Sequence, residues 1–259
     1  MFSMIQEELK CNRSLPFSKE ELKEKMQAQP YAGQDGIRML FLPPRLTEAT
    51  VDEFCYVYRQ IMDTSYDVAV ISEPDRLVST KKIPILPGQL VRTEFGSLLM
   101  EEGLRDDFCD EEDDFFIREE GDCSHLGFFD HASMLKLIQE DIQVLGLQLL
   151  EESPTLVQEL VFVLKEILPF KNALAVFCCK LDGRHEELFQ SVRQVLREQN
   201  DTRLLNLIYS GESHIYGAGI FLAGVMTSRK REREIRFFRN KAEAPEQNLL
   251  AAHAGFPDR

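Results

Sequence analysis

Five short apolar runs, separated by stripes of helical spacing, constrain this chain more than any other feature. The runs are Ile37–Leu42, Val68–Ser72, Gln143–Leu149, Leu174–Cys178 and Leu204–Tyr209, each flanked by polar or turn residues. An apolar run without alternation suits a strand covered on both faces. Gln143–Leu149 also reads as a continuation of the helix before it. Ser18 and Glu21 form a capping box for a helix over Lys19–Gln27. Thr47–Met62 carries Val51, Phe54, Cys55, Tyr58 and Ile61 on one stripe. Helical spacing recurs in 131–141, 155–167 and 184–198. Strands alternating with helices predict an α/β fold, a central, largely parallel or mixed sheet flanked by helices on both faces.

With 259 residues, 44% of them apolar, the chain can fill one sizeable core. The pattern predicts a single α/β domain over residues 1–241. Residues 99–128 interrupt it as an acidic insertion holding Phe108, Phe115 and Phe116. A loop of that length is either functional or disordered. Residues 242–259 show no persistent period and read as a flexible tail.

A net charge of −14 argues against a general nucleic-acid binder, because phosphates would be repelled over most of the surface. The charge is uneven: residues 101–122 are strongly acidic, whereas Arg229–Lys241 is basic. Ordinarily such runs are solvated surface. No stretch approaches the about 18 uninterrupted apolar residues of a membrane span, and the N-terminus lacks a secretory apolar core. The six cysteines form no CxxC pair, and several sit in apolar runs, as reduced buried thiols do. A cytoplasmic protein is expected.

Local residues in this order carry a resemblance. Leu15-Pro16-Phe17-Ser18 leads into a helix, and Leu42-Pro43-Pro44-Arg45 follows the first strand. Ser72-Glu73-Pro74-Asp75-Arg76 ends the next strand, followed by Thr93-Glu94-Phe95-Gly96. Ser153-Pro154-Thr155-Leu156 opens a helix, and Ser210-Gly211-Glu212-Ser213-His214-Ile215-Tyr216-Gly217 closes the series. In order and spacing these resemble the Memo family, including the B component of the AmmeMemoRadiSam system, relatives of the class III extradiol dioxygenases. The resemblance spans about Asn12 to Gly217 and implies a Memo/extradiol-dioxygenase-like fold with a His-rich pocket, often metal-bearing, at adjacent strand ends.

Most of the pocket the resemblance implies is missing. The first histidine position holds Pro44, the second falls on Asp75 or Arg76, and the third on Pro154. His214 alone matches. The aspartate position near it is Gly211, with Glu212 one place off. A reactive Fe(II)-type ion needs two or three converging N/O donors and open positions, so one imidazole is too few. The expectation is therefore no cofactor. The alternative is a divalent metal (Fe, Cu or Zn) held by His214, Glu212 and Asp75, with help from His125 or His131 of the insertion, which otherwise read as exposed loop histidines. Tyr216, Ser213 and Glu212 are polar neighbours able to orient His214. His185 and His253 carry no signal.

Other constellations fail. There is no Gly-x-Ser-x-Gly elbow, Walker loop, dinucleotide-binding Gly-x-Gly-x-x-Gly or His-Glu-x-x-His. Cys178 and Cys179 lie in a strand pattern and read as core, with only Lys180 nearby to activate a thiolate. Two functional classes stand out. One is a degenerate, non-catalytic binding or scaffolding module with a protein partner or self-association. Its acidic insertion would suit a basic partner or an apolar groove, or pair with Arg229–Lys241 of a second copy. The other is a metal-dependent oxidoreductase or hydrolase rebuilt around His214. A thiol redox protein is a third class.

Overall fold

The computed structural model describes residues 8–11, 13–74, 82–111, 114–118, 123, 125–149, 153–210, 212–239 and 244–257. The elements of the main sheet are β2 (Met39–Leu42), β3 (Val68–Pro74), β4 (Ile83–Ile85), β7 (Phe115–Ile117), β8 (Gln143–Leu149), β9 (Ala173–Cys178), β10 (Glu234–Phe237) and β11 (Ala252–Gly255). Their order across the sheet is β10-β11-β2-β9-β3-β8-β4-β7. β2, β9, β3 and β8 are parallel, so Leu42, Cys178, Pro74 and Leu149 end on one rim. β11 and β10 add antiparallel to one flank. On the other, β4 is antiparallel to β8 and β7 parallel to β4. A separate three-stranded sheet joins β1 (Glu8–Lys10), β5 (Leu90–Thr93) and β6 (Gly96–Leu99). The stretch Thr93-Glu94-Phe95-Gly96 is the turn between β5 and β6, and Gly96 accepts its φ of +133° because it has no Cβ.

Helices cover both faces of the main sheet. On one side lie α1 (Lys19–Ala28), α2 (Val51–Arg59) and α4 (Phe128–Ile138). The other carries α5 (Pro154–Phe170) and α8 (Ala218–Lys230), which pack together over β9. Capping sets the starts: the Ser18–Glu21 box opens α1, and Ser153 accepts the Leu156 N–H at 3.2 Å to open α5. The central strands are buried end to end, forming one contiguous apolar core. Phe41 stacks on Phe177 at 5.2 Å and meets the edge of Phe221 of α8. Each buried ring contributes about 1.5–3 kcal/mol. Gly224 of α8 sits directly over the Phe41 ring, where a Cβ would collide. No helix among the described residues is long and apolar enough to cross a membrane.

Four expected strands are present, including Gln143–Leu149, which is a strand and not a helical continuation. The fifth is not. Leu204–Tyr209 lies in a helix, α7 (Asp201–Tyr209), because the Asn200 side chain accepts the Arg203 N–H at 2.9 Å. Leu204 and Ile208 then bury at i and i+4. It follows α6 (Glu186–Arg197), close to the helix expected over 184–198. The acidic insertion is not a plain loop: it contains α3 (Glu102–Glu111) and β7. Phe108 and Phe115 are buried with ring centroids 5.1 Å apart, which removes these two rings from any partner-facing role. The segment read as an unstructured tail supplies β11, inserted between β10 and β2 with every residue buried. Small residues let this strand pass through the crowded sheet, and its ladder partners supply the order that its composition does not advertise.

Candidate functional site

Ligand sites of open α/β sheets lie beyond the carboxyl ends of the parallel strands. Here that rim is occupied by the first turn of α4. Glu73, at the end of β3, accepts the N–H groups of Gly127 at 2.8 Å and Phe128 at 3.3 Å. A carboxylate there satisfies donors left open at a helix start and meets the positive end of its dipole. Asp130, in the same first turn, accepts the Leu46 N–H at 2.8 Å and pairs with the Arg13 guanidinium. Gly127 lies so close to Pro44 that a Cβ would run into the Pro44 carbonyl. Arg45 donates to the His125 carbonyl, closing the same seam.

His131 completes the seal. Its Nε2 lies 3.1 Å from the Pro43 carbonyl, which can only accept, so Nε2 carries the proton. Nδ1 then accepts from the Tyr58 hydroxyl at 3.0 Å, and the ring stacks on Phe54 at 4.9 Å. Burial drives the His131 pKa down to about 3, opposed by the Pro43 hydrogen bond, so the ring is neutral at pH 7. Burial likewise raises Asp130 to about 6, against the lowering pull of the Leu46 N–H and Arg13. The Tyr58 hydroxyl is pushed well up by the same cause. Thus His131, expected as an exposed loop histidine, is a fully buried helix residue that holds the β2 loop. Glu73 had one sequence signal, a carboxylate closing an otherwise apolar strand.

His214 lies in the connection between α7 and α8, not at the end of a strand. Tyr216 carries that connection to the rim. Lys180 and Tyr216 exchange backbone hydrogen bonds of 2.9 and 2.8 Å, and the Tyr216 hydroxyl reaches the Pro74 carbonyl at 3.4 Å. Gly217 turns there with φ of +71°, and a Cβ on it would lie 2.6 Å from the Cys178 carbonyl oxygen. The His214 side chain is exposed and stacks face to face on His185, centroids 4.1 Å apart and planes 8° from parallel. His185, which carried no sequence signal, is therefore the nearest imidazole. Glu212 is exposed, and among the described residues no hydrogen bond joins its carboxylate to His214.

Among the described residues, the remaining candidates do not assemble around His214. Asp75, Arg76 and Gly211 lie outside the described residues. Pro154 is the first residue of α5, and Pro44 is packed against α4. His253, taken for a tail residue, is buried in β11 with Nδ1 donating to the Gln34 amide oxygen at 2.8 Å. Burial lowers its pKa to about 4, helped by the charge of Arg236. Cys178 and Cys179 are fully buried, and burial pushes both thiols up, opposite to what a nucleophilic cysteine needs. Cys55 is raised to about 12 in the same way.

The described residues do not fit the metal implied by the resemblance. A tetrahedral or octahedral ion places each imidazole nitrogen about 2.1 Å away along a lone pair in the ring plane. The nearly parallel planes of His214 and His185 send their lone pairs side by side, so they do not converge on one ion. Among the described residues, no group of three or more His, Cys, Asp or Glu side chains gathers as a ligand set. No protein-family profile and no curated protein matches the chain. What the chain has, on its own geometry, is an α/β sheet with helices on both faces and a rim closed by a helix start.

Proposed function

We propose that this chain is a divergent Memo-like protein, with an extradiol-dioxygenase-like scaffold, that has become a non-catalytic binding or scaffolding module. One observation carries the reading: the rim's buried acids and imidazole are already committed. Glu73 caps α4, Asp130 holds the Leu46 backbone and Arg13, and His131 bridges Pro43 and Tyr58. A buried polar group in a hydrogen bond is costly to withdraw, since each stranded partner costs about 1–3 kcal/mol. A catalytic pocket at this rim would require those bonds to break before substrate enters. His214 remains as an exposed imidazole stacked on His185, beside a backbone stitch that needs neither ring.

In this reading the protein works in the cytoplasm and needs no cofactor. Function lies at its surfaces, among which the basic Arg229–Lys241 stretch and the acidic 101–122 stretch stand out. The test is metal analysis of protein purified without chelator, for wild type and His214→Ala together. The proposal expects Fe, Cu and Zn well below one per chain and unchanged by the substitution. Stoichiometric metal that disappears in His214→Ala would establish the rival, a metal-dependent oxidoreductase or hydrolase rebuilt around His214.

A further inference from the structure

The opposite end of the sheet from Glu73, where β2 and β10 begin, gathers positive charge that the fold does not balance. α8 ends there in a Schellman turn. Glu232 has a φ of +54° and its N–H donates to the Arg229 carbonyl at 3.0 Å, while the Arg233 N–H donates to the Ser228 carbonyl at 2.8 Å. The residue that closes such a turn commonly packs an apolar side chain back onto the helix. Here that residue is Arg233. β10 then starts at Glu234, opposite Gly255, while Ala254 lies opposite Met39 of β2. Arg233 and Arg38 therefore flank the end of β11, one on each side, and Phe256 follows directly after it.

The Arg233 guanidinium lies over the Phe256 ring, 3.6 Å from its centroid. Its Nε and Nη1 are shut off from water and, among the described residues, have no acceptor. A Cβ on Gly36 would stand 3.2 Å from that Nη1, so the loop before β2 closes over the same group. Burial first, and then the charges of Arg38 and Arg231, hold the Arg233 pKa below the ordinary arginine value. Arg38 itself has neutral partners, the Asn172 side chain and the Ala173 carbonyl at 3.5 Å. Among the described residues no carboxylate pairs with any of the three arginines. Glu234 turns to Arg236 at 3.4 Å, and the exposed Asp35 and Glu232 join no ion pair there.

The chain has 44 acidic residues and a net charge of −14, yet it sets three neighbouring arginines together without one of those acids. Half-buried like charges left uncompensated are destabilising, and a bound anion relieves them. We propose that Arg38, Arg231 and Arg233 form a binding site for a phosphate-class dianion. Each guanidinium fork matches the geometry of an oxyanion, and Nη2 of Arg233 is the edge left open to it. A phosphate carries a charge of about −1.5 to −2 near neutral pH and three acceptor oxygens, so it can meet guanidiniums arriving from different directions. A carboxylate has one charge and two oxygens in a plane, which suits a single fork. Phe256, 52% exposed, borders the site where the organic part of a phosphate ester would rest. This site lies at the far end of α8 from Tyr216, so it goes beyond the non-catalytic reading and does not depend on it.

The probe is inorganic phosphate, titrated into the full chain at about 0.05 M salt and followed by phosphorus NMR, with phenyl phosphate and succinate titrated in parallel. The wild type should show saturable one-to-one binding of phosphate, weakened at least tenfold in Arg233→Gln and, separately, in Arg231→Gln. Thermal unfolding by circular dichroism checks that both variants fold. Without phosphate, Arg231→Gln should melt no lower than the wild type, because one of three opposed charges is gone. With phosphate, the wild type should gain more than the variants, which report the general stabilisation that phosphate gives any protein. Phenyl phosphate binding more tightly than phosphate supports the site as one for an ester, and equal binding supports it as one for the free ion. No saturable binding up to about 10 mM overturns the proposal. So does phosphate binding unchanged in both variants, succinate binding as tightly as phosphate, or an Arg231→Gln that melts well below the wild type. Metal content is read in a separate experiment, so failure here leaves the non-catalytic reading standing or falling on its own.

Discussion

Replacing His131 with Phe separates a sealing histidine from a functional one through the pH dependence of stability. The folded-state pKa of about 3 lies below the unfolded value of about 6.5. A base depressed in this way contributes stability fully above pH 6.5 and loses it as pH falls toward 3. At pH 4.5 the unfolded chain is protonated at this site and the folded one is not, which costs about 2.5 kcal/mol relative to pH 7. Wild-type stability alone would blur this. His253, with a folded pKa of about 4, adds a similar acid loss. Asp130, raised to about 6, acts oppositely, since its contribution is present at low pH and lost as pH rises through 6. The difference between variant and wild type isolates His131. At pH 7, His131→Phe strands the buried Tyr58 hydroxyl and the Pro43 carbonyl and should be destabilising by about 2–5 kcal/mol. At pH 4.5 that gap should narrow by about 2.5 kcal/mol. Urea denaturation followed by circular dichroism reads it, the chain having no Trp to follow by fluorescence. A gap that does not change with pH would refute the claim that His131 is a buried neutral ring.

Other consequences of the closed rim are equally open to measurement. Glu73→Ala should cost about 2–4 kcal/mol by stranding the Gly127 and Phe128 N–H groups, seen as a lower urea midpoint with no change in metal content. Gly127→Ala should cost about 1–3 kcal/mol or more, because its new Cβ meets the Pro44 backbone and not a yielding side chain. Cys55, Cys178 and Cys179 should resist iodoacetamide in the folded protein and react only on unfolding. Rapid native alkylation of Cys178 would revive the thiol redox class.

The sequence made the parallel core legible because β2, β3, β8 and β9 are covered on both faces and need unbroken apolar residues. The same property hid α8. Ala218–Lys230 is buried nearly all round, so it shows no polar stripe and no amphipathic period. Leu204–Tyr209 looked like a strand because its leucines and Ile208 fill a short apolar run, while the deciding signal was the Asn200 cap. Ala252–Gly255 has little strand propensity, and its place between β10 and β2 is a tertiary fact.

Legibility of the site divides the same way. Reading Pro44 and Pro154 as incapable of ligation required only their chemistry, whereas the residue that reaches the rim is Tyr216, two positions after His214. What fills the rim was not legible, because Glu73, Gly127 and Asp130 meet only once the chain is folded. His131 reads as an exposed loop histidine because it borders the acidic insertion, and His253 carries no signal because residues 242–259 show no persistent period, yet both are fully buried. The stacking of His185 on His214 joins residues nearly thirty positions apart and left no local trace.

The central claim, that a closed rim and one exposed imidazole hold no reactive ion, is tested most directly by crystals soaked in Fe(II) or Zn(II) and measured at the metal's absorption edge. The account predicts no anomalous peak within bonding distance of His214 that is shared with a second protein donor. A full-occupancy peak there, ringed by two or more protein ligands, would contradict it.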